Sequence, residues 1–145
     1  MAKTYTANQS INGSFGEVWF DDDYLSEIES AQAELSMSYT DVPQVRKLTK
    51  GKKLTNIEGS GTLKMHHVRS TITKKVSDLL KRGKTPSFKI IIKLDDPDAL
   101  GAERIVLYSC KLTKLTLMDW ESGKVTEETI PFTFEDWDLL DVISA

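Results

Sequence analysis

Two adjacent histidines, His66 and His67, are the side chains of this sequence best suited to metal binding or proton transfer near neutral pH. Neighbouring residues of a β-strand point to opposite faces, so the two rings cannot easily bind one ion. The sequence places no cysteine or suitably spaced carboxylate close to them. We therefore predict structural or interfacial histidines and no metal site.

Carboxylates are the second group that could do chemistry. The run Asp95, Asp96, Asp98 and Glu103 holds enough oxygen ligands for calcium, but its spacing departs from the D-x-D-x-D-G loop. A solvated turn is the simpler interpretation. The 22 acidic residues could form many catalytic pairs, and no spacing singles one out.

Nucleophile and phosphate-binding motifs are missing from the sequence. It contains neither G-x-x-x-x-G-K-[ST] nor G-x-S-x-G. The single cysteine, Cys110, follows the apolar run IVLYS and is predicted to be a small buried side chain. We conclude that the protein is not an enzyme and needs no cofactor.

Charge is strongly segregated along the chain, although the net charge is only −3. Residues 41–84 hold 12 Lys and Arg against 3 acids, whereas the remainder holds 7 against 19. A basic and an acidic surface on one molecule attract each other between copies, and a head-to-tail contact that does not close produces a stack. The sequence thus favours self-association.

A long hairpin is the clearest structural prediction. Residues 25–39 alternate apolar and polar side chains, residues 54–68 return as a second strand, and Gly59 and Gly61 permit a bend or bulge. Between the strands, residues 41–53 combine Pro43 and Gly51 with five basic side chains. They are predicted to form a protruding basic loop.

The other elements complete a mainly β chain. Residues 70–82 have the apolar spacing of one amphipathic helix with Gly83 after its end. Further strands are predicted at 88–94, 103–110 and 111–118, and the last strand contains Pro131, which indicates a sheet edge or a bulge. The prediction is a split β-barrel or sandwich of about seven strands with one flanking amphipathic α-helix.

The domain organisation is predicted to be simple. The 145 residues suffice for one domain, 1–145, with a flexible polar arm at 1–14. The sequence has no stretch approaching the length of a membrane span and no hydrophobic signal segment at its start, so we expect no membrane contact and folding in a reducing cytoplasm.

Five stretches together resemble a known family: GSFGEVWFD (13–21), GSGTLKMHHV (59–68), KRGKTPSFKIIIKLDDPDALGAERIVLYS (81–109), MDWESG (118–123) and PFTFEDWDLLD (131–141). They are similar to the tail-tube proteins of contractile-tailed prophages and phage-like bacteriocins, the PBSX XkdM-like family. The resemblance covers nearly the whole chain in order and is least clear at 41–53.

The resemblance implies a split β-barrel subunit like the haemolysin-coregulated protein of type VI secretion, assembled six to a ring and stacked into a tube inside a contractile sheath. It implies partners: further copies of the chain, the sheath protein, and tape-measure, baseplate and terminator proteins. DNA would be non-specific cargo in the lumen. The protein would be part of a virion tail or phage-like particle, assembled in the cytoplasm of the bacterial host.

Within such a tube, the paired long strands would continue the ladders of neighbouring subunits, and their polar face would line the channel with three candidate acids, Glu27, Glu29 and Glu34. The loop would reach the adjacent ring through its basic residues Arg46, Lys47, Lys50, Lys52 and Lys53. The expected acidic counter-surface comprises Glu135, Asp136, Asp138 and Asp141.

A second function remains open on the sequence alone. The chain could be a monomeric β-barrel that binds an anionic ligand or nucleic acid through Arg46 to Lys53 and the basic face of the helix. No aromatic residues interleave with these lysines, and the sequence pI of about 5.4 opposes general nucleic-acid binding.

Overall fold

Eight strands form one antiparallel sheet that is accompanied by one α-helix. The computed structural model describes residues 4–143. The strands and the helix are β1 (Gly16–Phe20), β2 (Asp23–Tyr24), β3 (Ile28–Val42), β4 (Gly51–His66), α1 (Thr71–Lys81), β5 (Phe88–Leu94), β6 (Glu103–Leu112), β7 (Glu127–Phe134) and β8 (Asp136–Asp141). This architecture confirms the mainly β prediction with one helix.

The strand order is β2-β1-β5-β6-β7-β4-β3, and β8 pairs with β6 beside this path. The sheet curls, so that β1 comes near the start of β3, and a groove of about 610 Å³ lies between them. Residues of one curled sheet can then enclose a common core, as in a barrel that is split along one seam.

Strand β6 changes partner halfway along its length. Residues Arg104 to Tyr108 pair with β8, whereas Lys111 and Leu112 pair with β7. Ser109, which lies between them, has a φ of 53°, and the register with β5 shifts here. Because β7 and β8 keep one register on β6, the two are successive parts of one bent strand, joined at Glu135.

Two local expectations in this region differ from the structure. The predicted strand at 111–118 is absent, because β6 ends at Leu112 and residues 113–126 form a loop without strand pairing. Conversely, β8 is a strand that the sequence analysis does not predict, because aspartate has a low strand propensity even though Trp137 and Leu139 alternate with Asp136 and Asp138. The described chain has eight strands, in agreement with the predicted number of about seven.

The core lies between the curled sheet and α1. Ile72 and Val76 of the helix are buried, and Leu79 is partly buried, as the apolar spacing predicts; Leu80 is exposed. Gly83, with a φ of 71°, ends the helix. The main contributors from the sheet are Val18, Phe20, Leu63, Met65, Phe88, Ile90, Leu107, Cys110, Ile130, Phe132 and Phe134.

Gly59 and Gly61 have a role different from the predicted bend. The β3–β4 register is regular at both positions. A Cβ on Gly61 would lie 2.5 Å from Cζ of Phe132, and one on Gly59 would lie 2.4 Å from Cε2 of Phe134. The glycines therefore leave room for two aromatic rings of β7 that cross over β4.

Pro131 is neither in an edge strand nor at a bulge, because β7 lies between β6 and β4 and its register with β4 is unbroken. The Pro131 carbonyl accepts a hydrogen bond from the Thr113 N–H at 3.1 Å. In an antiparallel strand, the N–H and the C=O of one residue point toward the same neighbouring strand. The N–H that proline lacks would therefore have pointed toward the end of β6. There the β6–β7 ladder is only two pairs long, which is why proline is tolerated.

The predicted flexible arm, 1–14, lies partly outside the described residues, which begin at Thr4. Two short 3₁₀ turns occupy Ala7–Gln9 and Gly13–Phe15. The Asn12 N–H donates to Oδ2 of Asp96 at 2.9 Å, and the Asp98 N–H donates to Oδ1 at 3.0 Å. Asp96 is buried and ties the arm to the turn after β5, so this turn is less solvated than predicted.

Within residues 4–143, no helix has the length and apolar character needed to span a membrane.

Candidate functional site

The hairpin of β3 and β4 has one apolar and one polar face, as its alternation predicts. Its register pairs Ala31 with Leu63 and Met37 with Ile57, and beyond a bulge Tyr39 pairs with Leu54. Side chains of paired residues share a face. The opposite face carries Ser30, Gln32, Glu34, Ser36, Ser38 and Thr40 of β3, with Lys53, Asn56, Glu58, Ser60, Thr62 and Lys64 of β4.

The outer half of this hairpin, residues 36–58, has no partner within the subunit; we call it the distal hairpin. In the described chain, β4 pairs with β7 only from Gly59 onward, so residues 51–58 pair with β3 alone. The apolar face is buried at Leu63 but exposed at Met37, Tyr39, Leu54 and Ile57, by 41–54%. An apolar strand face and two free edges on one projection favour contact with another chain.

An apolar cleft lies where the distal hairpin leaves the rest of the molecule. It has a volume of about 310 Å³, and its lining includes Leu35 of β3, Ile105 and Leu107 of β6, and Trp137 and Leu139 of β8. Leu139 is 63% exposed. The cleft extends the apolar surface of the hairpin onto the outer strand β8, whose other edge is also unpaired in residues 4–143.

The basic loop is shorter than the predicted 41–53, because β3 extends to Val42 and β4 begins at Gly51. Lys52 belongs to β4 and forms a 2.7 Å ion pair with Asp41 across the hairpin. Lys53 lies on the polar face. The loop is therefore 43–50, with Arg46, Lys47 and Lys50 as its charges, and we call it the tip.

Two apolar side chains of the tip are also fully open to solvent. Val45 is 92% exposed and Leu48 is 104% exposed. Arg46, between them, has a φ of 65°, a conformation that costs a non-glycine residue about 1 kcal/mol. A loop that served only solubility would be expected to be polar throughout.

The three predicted channel acids have different surroundings. Glu34 is exposed on the polar face, and Glu29 lies at a β-bulge near the start of β3. Glu27 is not available, because its side chain is only 5% exposed and accepts a 2.9 Å hydrogen bond from Nη2 of Arg69. Burial acts to raise the pKa of Glu27, but its hydrogen bonds and the Arg69 charge outweigh burial and lower it.

Glu58 belongs on the polar face and was not predicted as a channel residue. It is exposed and pairs with Ser36, two residues further along the hairpin than the Glu34–Ser60 pair. Neither Glu34 nor Glu58 forms an ion pair in the part of the chain that the structure describes. The alternation of side chains along β4 in the sequence is the signal that would have placed Glu58 on the polar face.

The two histidines face opposite sides, as predicted, and each meets carboxylates from other strands. His67 contacts Glu128, and Nε2 of His66 lies 3.9 Å from Glu29. Ligand atoms of Glu29, His66 and Glu127 lie within 4.8 Å of one another. Nζ of Lys64 is 3.3 Å from Glu127 and already supplies positive charge there, which opposes cation binding.

The predicted acidic counter-surface is partly neutralised within the subunit. Glu135 pairs with Lys111, and Asp141 pairs with Arg104 at 3.1 Å. Oδ1 of Asp136 accepts a hydrogen bond from the Trp137 N–H. Burial raises the pKa of Tyr108, and the nearby charges of Asp138 and Asp136 raise it further. This acidic counter-surface begins at Glu135, directly after Phe134, which pairs with Gly59 in the middle of β4.

The alternative anion-binding surface is not assembled by the fold. The tip precedes β4 and the helix follows it, and 16 strand residues at about 3.3 Å each separate them by about 50 Å. Lys75 of the helix is also engaged by Asp21 and Asp23. The loop and helix charges therefore do not form one binding site.

Cys110 is fully buried, and burial raises the pKa of its thiol to about 12. It is a core side chain, as predicted, and not a nucleophile.

Free strand edges, an apolar projection and a charged tip are typical of structural proteins that contact other chains. The phage tail tube protein family matches residues 3–141 of the chain, so the chain belongs to this family. It is a structural tail component and not an enzyme, which confirms the resemblance found in the sequence.

Known relatives agree with this assignment. The chain is 30% identical to the phage-like element PBSX protein XkdM of Bacillus subtilis (strain 168) over 141 residues, 95% of each chain. Its fold is similar to a chain of the anti-feeding prophage tube-terminating cap, with a TM-score of 0.73 over 98% of this chain and 95% of that chain at 13% identity. It is equally similar, at 0.73 and 12% identity, to a chain of an extracellular contractile injection system sheath–tube complex, over 96% of this chain and 100% of that chain.

Proposed function

We propose that the protein is the tube subunit of a contractile tail and that it assembles into six-membered rings that stack around a channel. The observation that carries this proposal is the distal hairpin, in which the outer edges of two strands and an apolar face are left without a partner in the described subunit. The similarity to a chain of a sheath–tube complex supports it.

Ring closure follows from complementary edges. The outer edge of β3 at 36–42 and the outer edge of β4 at 51–58 have similar lengths and opposite directions. In a ring with all subunits in one orientation, the first edge of one copy pairs antiparallel with the second edge of the next. Such a head-to-tail contact closes into a ring when six equal rotations complete a full turn, and the closed ring would leave no free edge on the inner wall.

The apolar face of each distal hairpin would then be covered by the adjacent subunit. Met37, Tyr39 and Ile57 lie on the same side as the cleft beside Trp137, so one continuous apolar surface is available for burial. Removing such surface from water contributes roughly 25 cal/mol per Å². This term would supply most of the association energy, because exposed ion pairs contribute only about 0–1 kcal/mol each.

The polar face would line the channel. Glu34 and Glu58 balance the two lysines of this face, Lys53 and Lys64. Glu29 at the bulge and Glu127 of the adjacent β7 add two acids, so the lining is mildly acidic. Such a wall repels phosphate groups, and DNA would pass as non-specific cargo without adhering to it.

Outside the ring, the partners would be the tail sheath protein along the tube and tape-measure, baseplate and terminator proteins at its ends. Similarity to chains of a sheath–tube complex, a sheath–tube terminator and a baseplate supports the sheath, terminator and baseplate partners. The particle would be assembled in the cytoplasm of the bacterial host.

Electron microscopy and size-exclusion chromatography over a concentration series test the proposal. The wild-type protein is expected to form six-fold rings and tubes. A double variant, Met37→Ser with Ile57→Ser, is expected to remain monomeric with an unchanged circular dichroism spectrum, because both side chains are exposed in the subunit.

Leu80→Ser is the matched control, because Leu80 lies on the helix and is as exposed as Met37, at 53%. The control is expected to assemble normally. A wild-type protein that stays monomeric at every concentration, or a double variant that assembles as well as the control, would contradict the proposal.

A further inference from the structure

We propose that the tip, residues 43–50, docks onto the loop 113–126 of another copy, and that this contact joins successive rings. The inference rests on the proposed stacking of rings and names the surface that receives the tip. In this proposal, the loop 113–126 takes the place of the acidic counter-surface formed by Glu135, Asp136, Asp138 and Asp141.

The tip and this loop lie at opposite ends of the same strand. The tip precedes Gly51 at the start of β4, whereas His67, directly after β4, donates its N–H to the carbonyl of Thr126 at 2.8 Å. The length of β4 separates the two by about 50 Å. Translating one copy along the strand direction therefore brings its tip to this loop of the next copy. The acids Glu135 to Asp141 begin at the middle of β4.

The receiving loop also presents exposed apolar side chains. Leu117, Met118, Trp120 and Val125 are 71–78% exposed, although they are among the largest apolar side chains outside the core. Beside them is a pocket of about 210 Å³, whose lining includes Leu117, Met118 and Trp120. Val45 and Leu48 of the tip are single apolar side chains of a size that such a pocket accepts.

The charges of the two surfaces are complementary. The tip carries Arg46, Lys47 and Lys50 and no acid, whereas the loop 113–126 carries two acids and two lysines, and Glu127 and Glu128 at the start of β7 add two acids to the lining of the pocket. Three of the four acids already have partners, Glu121 with Lys124, Glu127 with Lys64 and Glu128 with His67. Asp119, on the pocket rim, has none among the described residues and faces the incoming basic tip. Apolar contact would hold the tip, and charge would orient it.

Cross-linking between two variants that each carry one added cysteine tests the contact. Leu48→Cys and Trp120→Cys are made separately and mixed under assembly conditions with a short bismaleimide. Cys110 gives little background, because its thiol is buried and has a pKa of about 12. The mixture is expected to yield a cross-linked dimer at least tenfold more abundant than either variant alone.

Leu48→Cys mixed with Asp138→Cys is the matched control, since Asp138 belongs to the other acidic surface. Tubes that form without a 48–120 cross-link, or that give a 48–138 cross-link in its place, overturn the inference but leave the proposed tube function intact. Failure of the wild-type protein to form rings or tubes overturns both.

A charge exchange gives a second measurement. Asp119→Lys is expected to raise the protein concentration needed for tube formation severalfold, and Lys47→Glu added to it is expected to restore assembly toward the wild-type concentration. Equal assembly of all three proteins would show that these charges do not meet.

Discussion

The base of the long hairpin and its distal half share one sequence pattern but have different surroundings. At the base, Leu63 and Met65 of β4 are buried in the core cluster shared with β7 and the helix, while in the distal hairpin Met37 and Ile57 continue the same face into solvent. The pattern of alternation fixes which face is apolar. Whether that face is covered within the subunit depends on how far β7 follows β4, and it follows only to Gly59.

Because of this difference, substitutions at the two regions are expected to affect different properties, the stability of the subunit or its assembly. Substitutions in the core are expected to lower the free energy of unfolding and to reduce assembly only as a consequence. Substitutions in the distal hairpin are expected to reduce assembly and to leave the isolated subunit folded.

The largest effect is expected for Phe132→Ala. Phe132 is 1% exposed and covers Gly61, so its truncation leaves a cavity and is expected to lower the free energy of unfolding by about 3–5 kcal/mol. Urea denaturation followed by fluorescence measures this loss. Ile57→Ala, on the same sheet but 43% exposed, is the comparison and is expected to cost less than about 1 kcal/mol. Equal losses would show that the distal face is buried in the isolated subunit.

A smaller effect is expected for Gly61→Ala. The added Cβ would lie 2.3 Å from the Gln32 carbonyl oxygen and 2.5 Å from the Phe132 ring, and such overpacking costs about 1–3 kcal/mol. In Gly51→Ala, the nearest atoms would be at ordinary contact distances of 3.5 Å and 3.6 Å, so little change is expected. Thermal unfolding of both variants measures the difference, and similar melting temperatures would contradict the close packing at the base.

Glu27→Gln is expected to cost about 1 kcal/mol at neutral pH, because it removes a charged partner of Arg69, which is itself partly exposed. The folded protein lowers the pKa of Glu27 below 4.5. The carboxylate therefore contributes stability above its unfolded pKa, and this contribution is lost as the pH falls through the folded pKa.

Unfolding free energies of the wild type and of Glu27→Gln between pH 7 and pH 3 measure this dependence. The difference between the two proteins is expected to shrink below about pH 4.5. Glu34→Gln, on the exposed polar face, is the control and is expected to show a small difference at every pH. A Glu27→Gln difference that stays constant with pH would contradict the role of the Arg69 pair.

The smallest effect is expected for Lys52→Gln. The Lys52–Asp41 pair is exposed at both side chains, so its loss is expected to change subunit stability by less than about 0.5 kcal/mol. Chemical denaturation at low and high salt measures this change. A larger loss that disappears in high salt would show that the ion pair, and not the ladder, holds the distal hairpin together.

Local patterns of the sequence predicted much of the fold. The alternation from Ala31 to Tyr39 gave β3 its two faces, and the spacing of Ile72 and Val76 before Gly83 predicted the helix. These signals lie within one element, where period and turn residues act directly.

Features that depend on distant residues could not be predicted in this way. Arg69 reaches Glu27 across 42 positions, which removes that acid from the predicted channel set. Strand β8 is stabilised by pairing with β6, some 30 residues earlier, whereas its three aspartates have a low strand propensity. The tip was predicted to be too long because Lys52 and Lys53 were counted as loop charges, whereas the ladder with β3 accommodates them in a strand.

The length of the β3–β4 ladder also determines how the subunit responds to force. Fourteen residue pairs join the two strands, and their hydrogen bonds lie perpendicular to the strand direction. Opposite pulls along the two strands load these bonds together in shear, whereas a pull that separates the strands at the base, where the chain does not join them directly, breaks the bonds one after another. The hairpin therefore resists sliding of its strands but is weak to peeling from the base.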